Sequence, residues 1–211
     1  MESVVLATAN AKKLAELRRL VVAAGLNVTV HGLGEVADYP PPAETEPTFE
    51  GNALIKARAC VAATGRPALA DDSGIAVDVL NGMPGVRSAR WAGPDATDDD
   101  NNALLLRQLD DVPDERRTAR FVCAMALVLP DGTEHTRTGE MHGRLLRAPA
   151  GVRGFGYDPL FVTDGQTVTN AELTGEAKDA ISHRGKAVRA ILEVLTDELG
   201  RVGREDLSRS S

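Results

Sequence analysis

Apolar residues fall along the chain either in short continuous runs or at intervals of three and four, and the two patterns take turns, which predicts strands alternating with helices. Val4-Val5-Leu6-Ala7 reads as a buried strand, broken by Thr8-Ala9-Asn10. Leu14, Leu17, Leu20, Val21 and Ala24 then recur at helical spacing until Gly25 stops the helix. Val28-Thr29-Val30 predicts a second strand, and the Pro- and Glu-rich stretch from Gly32 to Pro47 an irregular loop. A second helix is expected over Asn52 to Thr64, with Leu54, Ala57, Val61 and Ala62 on one face and Gly65 behind it. Pro67-Ala68-Leu69-Ala70 is a short strand expected to run into a loop at Asp71-Asp72-Ser73-Gly74. Ile75 to Leu80 is too short for periodicity to separate strand from helix.

The punctuated stretch from Asn81 to Pro94 is expected to be mostly loop. Thr97 with Asp98, Asp99 and Asp100 marks a helix N-terminus, where carboxylates favour the dipole, and the helix runs on to Leu109. Phe121 to Leu129 predicts a buried strand that turns at Pro130-Asp131-Gly132 and returns over Thr133 to Thr138 as a hairpin. Phe161 is expected to end another short strand. The last helix is predicted from about Ile181 to Leu199, with Val188, Ile191, Leu192, Leu195 and Leu199 on its apolar face. This order argues for an α/β fold, a mixed central sheet with flanking helices. No repeat or linker divides the chain, so residues 1–199 read as a single domain and residues 200–211 as a disordered polar tail.

Composition narrows the function. Hydrophobic residues are 43 % and charged residues 26 % of the 211, ordinary for a globular domain, while aromatics are only 3 %, so an aromatic cluster stands out. The formal net charge of −7 opposes a nucleic-acid or anionic-membrane binder but leaves room for a small phosphorylated ligand held by a local basic cluster. Cys60 and Cys123 form neither a disulfide framework nor a zinc motif and suit a reducing cytoplasm. The opening residues lack a basic region and a long apolar stretch, so no signal peptide is expected, and no apolar run is long enough for a bilayer.

Four stretches carry candidate chemistry. Thr8-Ala9-Asn10-Ala11-Lys12-Lys13 lies at a strand end and opens a helix, where unpaired N–H groups and the dipole favour phosphate; taken alone it reads more readily as an Asn N-cap followed by solvated lysines. Asp71-Asp72-Ser73-Gly74 puts two carboxylates after an apolar strand. On an extended chain they point to opposite sides, and one or two carboxylates plus substrate phosphates are what Mg²⁺ requires. Glu44, Glu46 and Glu50 offer further carboxylates. Gly154-Phe155-Gly156-Tyr157-Asp158-Pro159 suits either a base-stacking platform or a Gly-rich turn capping the core. Ser182-His183-Arg184-Gly185-Lys186, with Lys178 before it, suits either a phosphate or base-carbonyl contact or a Ser N-cap among exposed basic residues. His31, His135 and His142 lack partners at ligand spacing, Asp98 to Asp100 read as a solvated helix start, and no P-loop is present.

Together, VLATANAKKLAEL, TFEGNALIKARA, ALADDSGIAVDVLNGMPGVRSARWAG, GFGYDPLF and ISHRGKA resemble the inosine-triphosphate pyrophosphatase family, in the family's order and across residues 4 to about 187. The resemblance implies an elongated two-lobed α/β fold with its cleft between the lobes. It also implies a homodimeric, Mg²⁺-dependent hydrolase that cuts ITP, dITP and XTP between the α and β phosphates, releasing pyrophosphate in a nucleotide-cleansing role. The rival readings are a pyrophosphatase of similar fold with another base preference (dTTP or UTP) and a nucleotide-binding regulatory module without turnover. By the resemblance, Thr8, Ala9, Asn10, Ala11, Lys12 and Lys13 wrap the triphosphate. Asp72 is metal ligand or general base, and Glu44 a second metal ligand. Ser73 touches the nucleotide; Phe155, Gly156, Tyr157, Asp158, Lys178, His183 and Arg184 form the base pocket. Two positions depart from the family pattern, Ala9 where Gly is frequent and Gly51 where an acidic residue is frequent.

Overall fold

Strand β1 (Glu2–Leu6) is buried on both faces and pairs in parallel with β2 (Val28–Gly32) on one side and β3 (Ala68–Val77) on the other. Such strands must be apolar throughout, as Val4, Val5 and Leu6 are. The connection from β1 to β2 is helix α1 (Ala11–Ala23), started by Asn10, whose side chain accepts from the N–H groups of Lys12 and Lys13, and followed by Gly25 at φ 67°. The computed structural model describes residues 2–209, with side chains for residues 3–198. Its six strands lie in the order β2-β1-β3-β4-β5-β6, where β4 is Thr118–Val128, β5 is Glu134–Leu145 and β6 is Phe161–Thr163, antiparallel to β5. The helices are α2 (Leu33–Val36), α3 (Phe49–Thr64), α4 (Asp98–Gln108), α5 (Gly175–Ile181) and α6 (His183–Arg209). The mixed α/β architecture expected from the sequence is thus present.

Several boundaries differ from expectation for identifiable reasons. Asp71-Asp72-Ser73-Gly74 is not a loop: β3 runs straight through it, because each carboxylate finds a lysine partner and need not leave the sheet for water. The ambiguous Ile75–Leu80 run is strand to Val77 and then a 3-10 turn, Asp78–Leu80. The loop from Gly32 to Pro47 holds the single turn α2, fixed by Glu35 reaching back to the Gly32 N–H. The returning strand β5 extends seven residues past Thr138, where Met141, Gly143 and Leu145 are buried while His142 and Arg144 between them are exposed. Phe161 begins β6 rather than ending a strand. The final helix is preceded by a separate helix, α5, and Ser182 between them is extended, with its Oγ accepting from the Gly185 N–H. Helix α6 continues to Arg209, into the stretch expected as a tail; residues 210 and 211 lie outside the described residues.

The chain divides into two compact units. The first comprises residues 1–72, 124–138 and 186–211, the second residues 73–123 and 139–185. The first has a core of small side chains, including Ala53, Ala57, Cys60, Ala68, Ala70 and Ala126, with Leu33, Tyr39 and Leu54 packed against it. Because these side chains are small, α3 can approach the sheet closely. The second core uses larger groups, among them Ile75, Leu105, Leu109, Phe121, Tyr157, Leu160 and Phe161, with Phe121 and Phe161 edge to face at 4.8 Å. In it the guanidinium of Arg117 is buried and donates to the carbonyls of Leu145, Leu109 and Leu146.

Candidate active site

In the first unit the site grows from α3 and the adjoining strand. Thr48 caps α3 by accepting from the Gly51 N–H, and the helix then carries Asn52 and Lys56 one turn apart on the face toward β3. The Lys56 ammonium donates to Asp72 Oδ1 at 3.0 Å and to Glu44 Oε1 at 3.1 Å. Asn52 Nδ2 donates to Asp72 Oδ2 at 3.3 Å, while its Oδ1 accepts from the Glu46 N–H. One residue earlier on β3, Asp71 accepts from Lys13 Nζ of α1 at 2.7 Å. Neighbouring aspartates therefore engage lysines of different helices, as the alternation of an extended chain requires.

The electrostatics of this cluster are lopsided. Burial pushes the Asp72 carboxyl above the ordinary aspartate range, against the pull of Lys56 and Asn52, and Glu44 adds to the push. Burial pulls the Lys56 ammonium down, but Asp72, Asp71 and Glu44 together outweigh it and hold the ammonium above the usual lysine range. The two directions agree on one point: Asp71, Asp72 and Glu44 all act on Lys56, and the burial of Asp72 is only partly compensated. Asp72 and Glu44 are hard oxygen donors meeting at one cationic nitrogen, a donor set that fits a hard divalent cation completed by phosphates and water. Among the described residues no group of three or more His, Cys, Asp and Glu side chains could hold a metal unaided.

A cavity of about 520 Å³ opens beside the cluster, its wall including Thr8, Ala9, Asn10, Ala11, Glu44 and Lys56. Thr8 Oγ1 accepts from the Asn10 N–H, and the Asn10 side chain caps α1. Lys12 is exposed and Lys13 half-buried. The Thr8–Lys13 loop, Glu44 and Asp72, singled out separately in the sequence, thus belong to one neighbourhood. Lys56 and Asn52, which join them, had escaped notice. Their spacing of four on a helix that begins with a Thr cap was the available signal. Gly51 also gains a local reason. A Cβ there would stand 2.6 Å from Glu46 Cβ and 2.7 Å from Glu46 Cγ, so the Glu46 side chain fills the space of a residue-51 side chain.

In the second unit the site is built on the loop before β6. Phe155 is 43 % exposed, with Lys178 Nζ 5.1 Å and Arg184 Cζ 5.7 Å from its ring centre. Asp158, 2 % exposed, accepts from the Phe155 N–H at 3.0 Å, from Asn170 Nδ2 and, in a short ion pair, from Lys178. A Cβ on Gly154, at φ 77°, would overlap Asp158 Oδ2 at 2.2 Å, so that glycine is demanded by both backbone and space. The buried Tyr157 donates its hydroxyl to the Ser88 carbonyl at 2.8 Å; burial first, then Asp98, pushes its phenol well above the ordinary tyrosine range. Gly156 is held from α4: its N–H donates to Asp98 Oδ2 at 2.6 Å and its carbonyl accepts from Asn102 Nδ2 at 2.9 Å. Asp98, expected to be merely solvated, thus has a specific partner that only the fold reveals. His183 opens α6 stacked on Phe121, ring centres 5.0 Å apart at 15°, and Arg184 Nη2 donates to Ser73 Oγ at 3.3 Å. Ser73, Phe155 to Asp158, Lys178, His183 and Arg184 form a second neighbourhood, an open aromatic face rimmed by cationic donors.

The model of the Ham1 family matches residues 4–194. A dITP/XTP pyrophosphatase of Cutibacterium acnes is 59 % identical over 201 residues, covering 94 % of this chain and 98 % of that one. The crystal structure of a nucleoside-triphosphatase, a dITP/XTP pyrophosphatase, from Mycobacterium abscessus superposes with a TM-score of 0.77 at 53 % identity, covering 92 % of this chain and 99 % of that one. A HAM1 protein from Coxiella burnetii superposes with a TM-score of 0.85 at 41 % identity over 93 % of this chain and the whole of the other. The resemblance read in the motifs and the architecture of the molecule lead to the same place: the chain belongs to the Ham1 family.

Proposed function

We propose that the protein is a nucleoside-triphosphate pyrophosphatase that hydrolyses ITP, dITP and XTP to the monophosphate and pyrophosphate, using Mg²⁺. The observation that carries this reading is the convergence of Asp72 and Glu44 on Lys56 at the wall of a cavity that the Asn10-capped start of α1 also lines. Relatives named dITP/XTP pyrophosphatase, at 59 and 60 % identity, supply the base class.

In this reading the Thr8–Lys13 loop receives the triphosphate: the positive end of the α1 dipole and the two lysines draw in its oxygens. Asp72 and Glu44 are the residues that would hold the cation. Bound Mg²⁺ neutralises phosphate charge and stabilises the departing pyrophosphate. Lys56 with Asn52 holds the Asp72 carboxylate in place, whether it ligates the cation or takes the proton of the attacking water. The purine stacks on Phe155, and Lys178, His183 and Arg184 face its keto edge, with Tyr157, Gly156, Asp158 and Ser73 fixing the frame. Donors set against a 6-keto oxygen are left unpaired by a 6-amino group, a mismatch that can discriminate by about 10⁴. The reading carries with it the cytoplasmic homodimer that the sequence resemblance implies. Among the described residues no helix is long and apolar enough to cross a membrane.

Steady-state assays with ITP, XTP, dTTP, UTP and ATP, each with and without Mg²⁺, test it. Pyrophosphate, not orthophosphate, is expected from ITP and XTP in a Mg²⁺-dependent reaction. Equal rates with ITP and ATP remove the base preference; binding without pyrophosphate release removes the hydrolase.

A further inference from the structure

Gly156 stands at φ 61° in the left-handed region, between the half-exposed Phe155 and the buried Tyr157. Both of its main-chain polar groups are taken by one helix: Asp98, the first residue of α4, accepts from its N–H at 2.6 Å, and Asn102, one turn on, donates to its carbonyl at 2.9 Å. The capping of α4 does not need Asp98. Thr97 accepts from the Asp100 N–H and Asp100 accepts from the Thr97 N–H, so the cap is complete without it. Helix packing does not account for Asn102 either. Its Oδ1 is buried without a hydrogen-bond partner among the described residues, an arrangement that costs stability. Donation to Gly156 gives that amide a purpose.

The consequence falls on Phe155. The N–H of Gly156 belongs to the peptide plane that leaves Phe155, and the N–H of Phe155 belongs to the plane that enters it. Asp98 fixes the first and Asp158 the second. The ring is 43 % exposed and flanked by Lys178 and Arg184, so these two planes, which fix the backbone it projects from, govern the direction in which it leaves the chain. We infer that Asp98 and Asn102 are positioning residues, which grip Gly156 so that the Phe155 ring stands ready for the purine base and which thereby set substrate affinity without touching the nucleotide. This rests on the base-platform reading given above.

The test uses the full chain with Mg²⁺ and ITP. Asp98→Ala is expected to raise KM on the order of 10-fold, the size of one hydrogen bond to a charged group, while kcat stays within about twofold. Asp98→Asn, whose amide oxygen can still accept from Gly156, is expected to stay within about threefold of the parent KM. Asp99→Ala removes a first-turn carboxylate that shares the dipole role but not the Gly156 contact, and leaves KM unchanged. The Gly156 amide proton resonance is expected to move upfield in Asp98→Ala and to hold its place in Asp99→Ala. The inference is overturned if Asp98→Ala and Asp99→Ala shift KM equally, if Asp98→Asn is as impaired as Asp98→Ala, or if the Gly156 resonance ignores Asp98. Phe155→Ala separates the two levels of argument. If it leaves KM for ITP untouched, the base platform itself is wrong; if it raises KM while Asp98→Ala does not, only the grip is wrong.

Discussion

The two neighbourhoods of side chains solve opposite problems. In the first unit Asp71, Asp72 and Glu44 share Lys13 and Lys56, and the burial of Asp72 is only partly compensated. In the second unit the groups that frame Phe155 are answered, Asp158 by three donors, Gly156 at both ends and Tyr157 by Ser88, with Asn102 Oδ1 the buried exception among the described residues. One cluster is electrostatically unfinished and so suits a ligand that brings a cation and phosphates. The other is geometrically finished and so suits recognition of a rigid planar group. Reaction chemistry tolerates, and uses, the unfinished state, because a carboxylate raised toward neutrality is a better proton acceptor than one held fully satisfied.

Four measurements break or sharpen that contrast. The largest effect is expected for Asp72→Asn, which should keep the fold by circular dichroism and lose at least ~100-fold in kcat, the scale of an acid–base group; near-full activity would remove Asp72 from the chemistry. Asp158→Ala leaves the Lys178 ammonium without its buried partner and should cost about 3 kcal/mol in denaturant unfolding, as breaking a buried ion pair does. A loss well under 1 kcal/mol would mean that the second cluster is not held as tightly as described. Phe155→Ala should raise KM for ITP on the order of 10-fold with kcat less affected, one stacking contact being worth about 1–3 kcal/mol.

The smallest effect is a pH dependence. The folded pKa of Asp72 lies above its unfolded value. Its stability contribution is therefore present in full below the ordinary aspartate range and is lost as pH rises through the raised folded value. In chelator-treated protein, Asp72→Asn should gain Tm relative to the parent as pH rises from below the ordinary aspartate range through the raised folded value. A difference that does not change with pH contradicts the burial cost assigned to this carboxylate.

Most helices and strands were legible because their signals are local: Asn10 and Thr97 as caps, Gly25 and Gly65 as stops, the apolar run from Phe121 onward. The sequence misled where long-range partners overrule local preference. Asp71-Asp72-Ser73-Gly74 has turn composition, yet Lys13 and Lys56, far away in the chain, keep it in the sheet. The candidate residues were legible as motifs, but what binds them together was not. Lys56, Asn52, Asp98 and Asn102 are unremarkable helix residues until the fold brings each against a partner between 12 and 58 positions distant.

The contact between Gly51 and the Glu46 side chain couples the histories of those two positions. A mutation placing glutamate at residue 51 meets Glu46 Cβ and Cγ head-on, and of the two only the Cγ contact is lost when residue 46 is shortened to alanine. A side chain at residue 51 therefore goes with a displacement of residue 46, and the two positions are coupled through that single close contact.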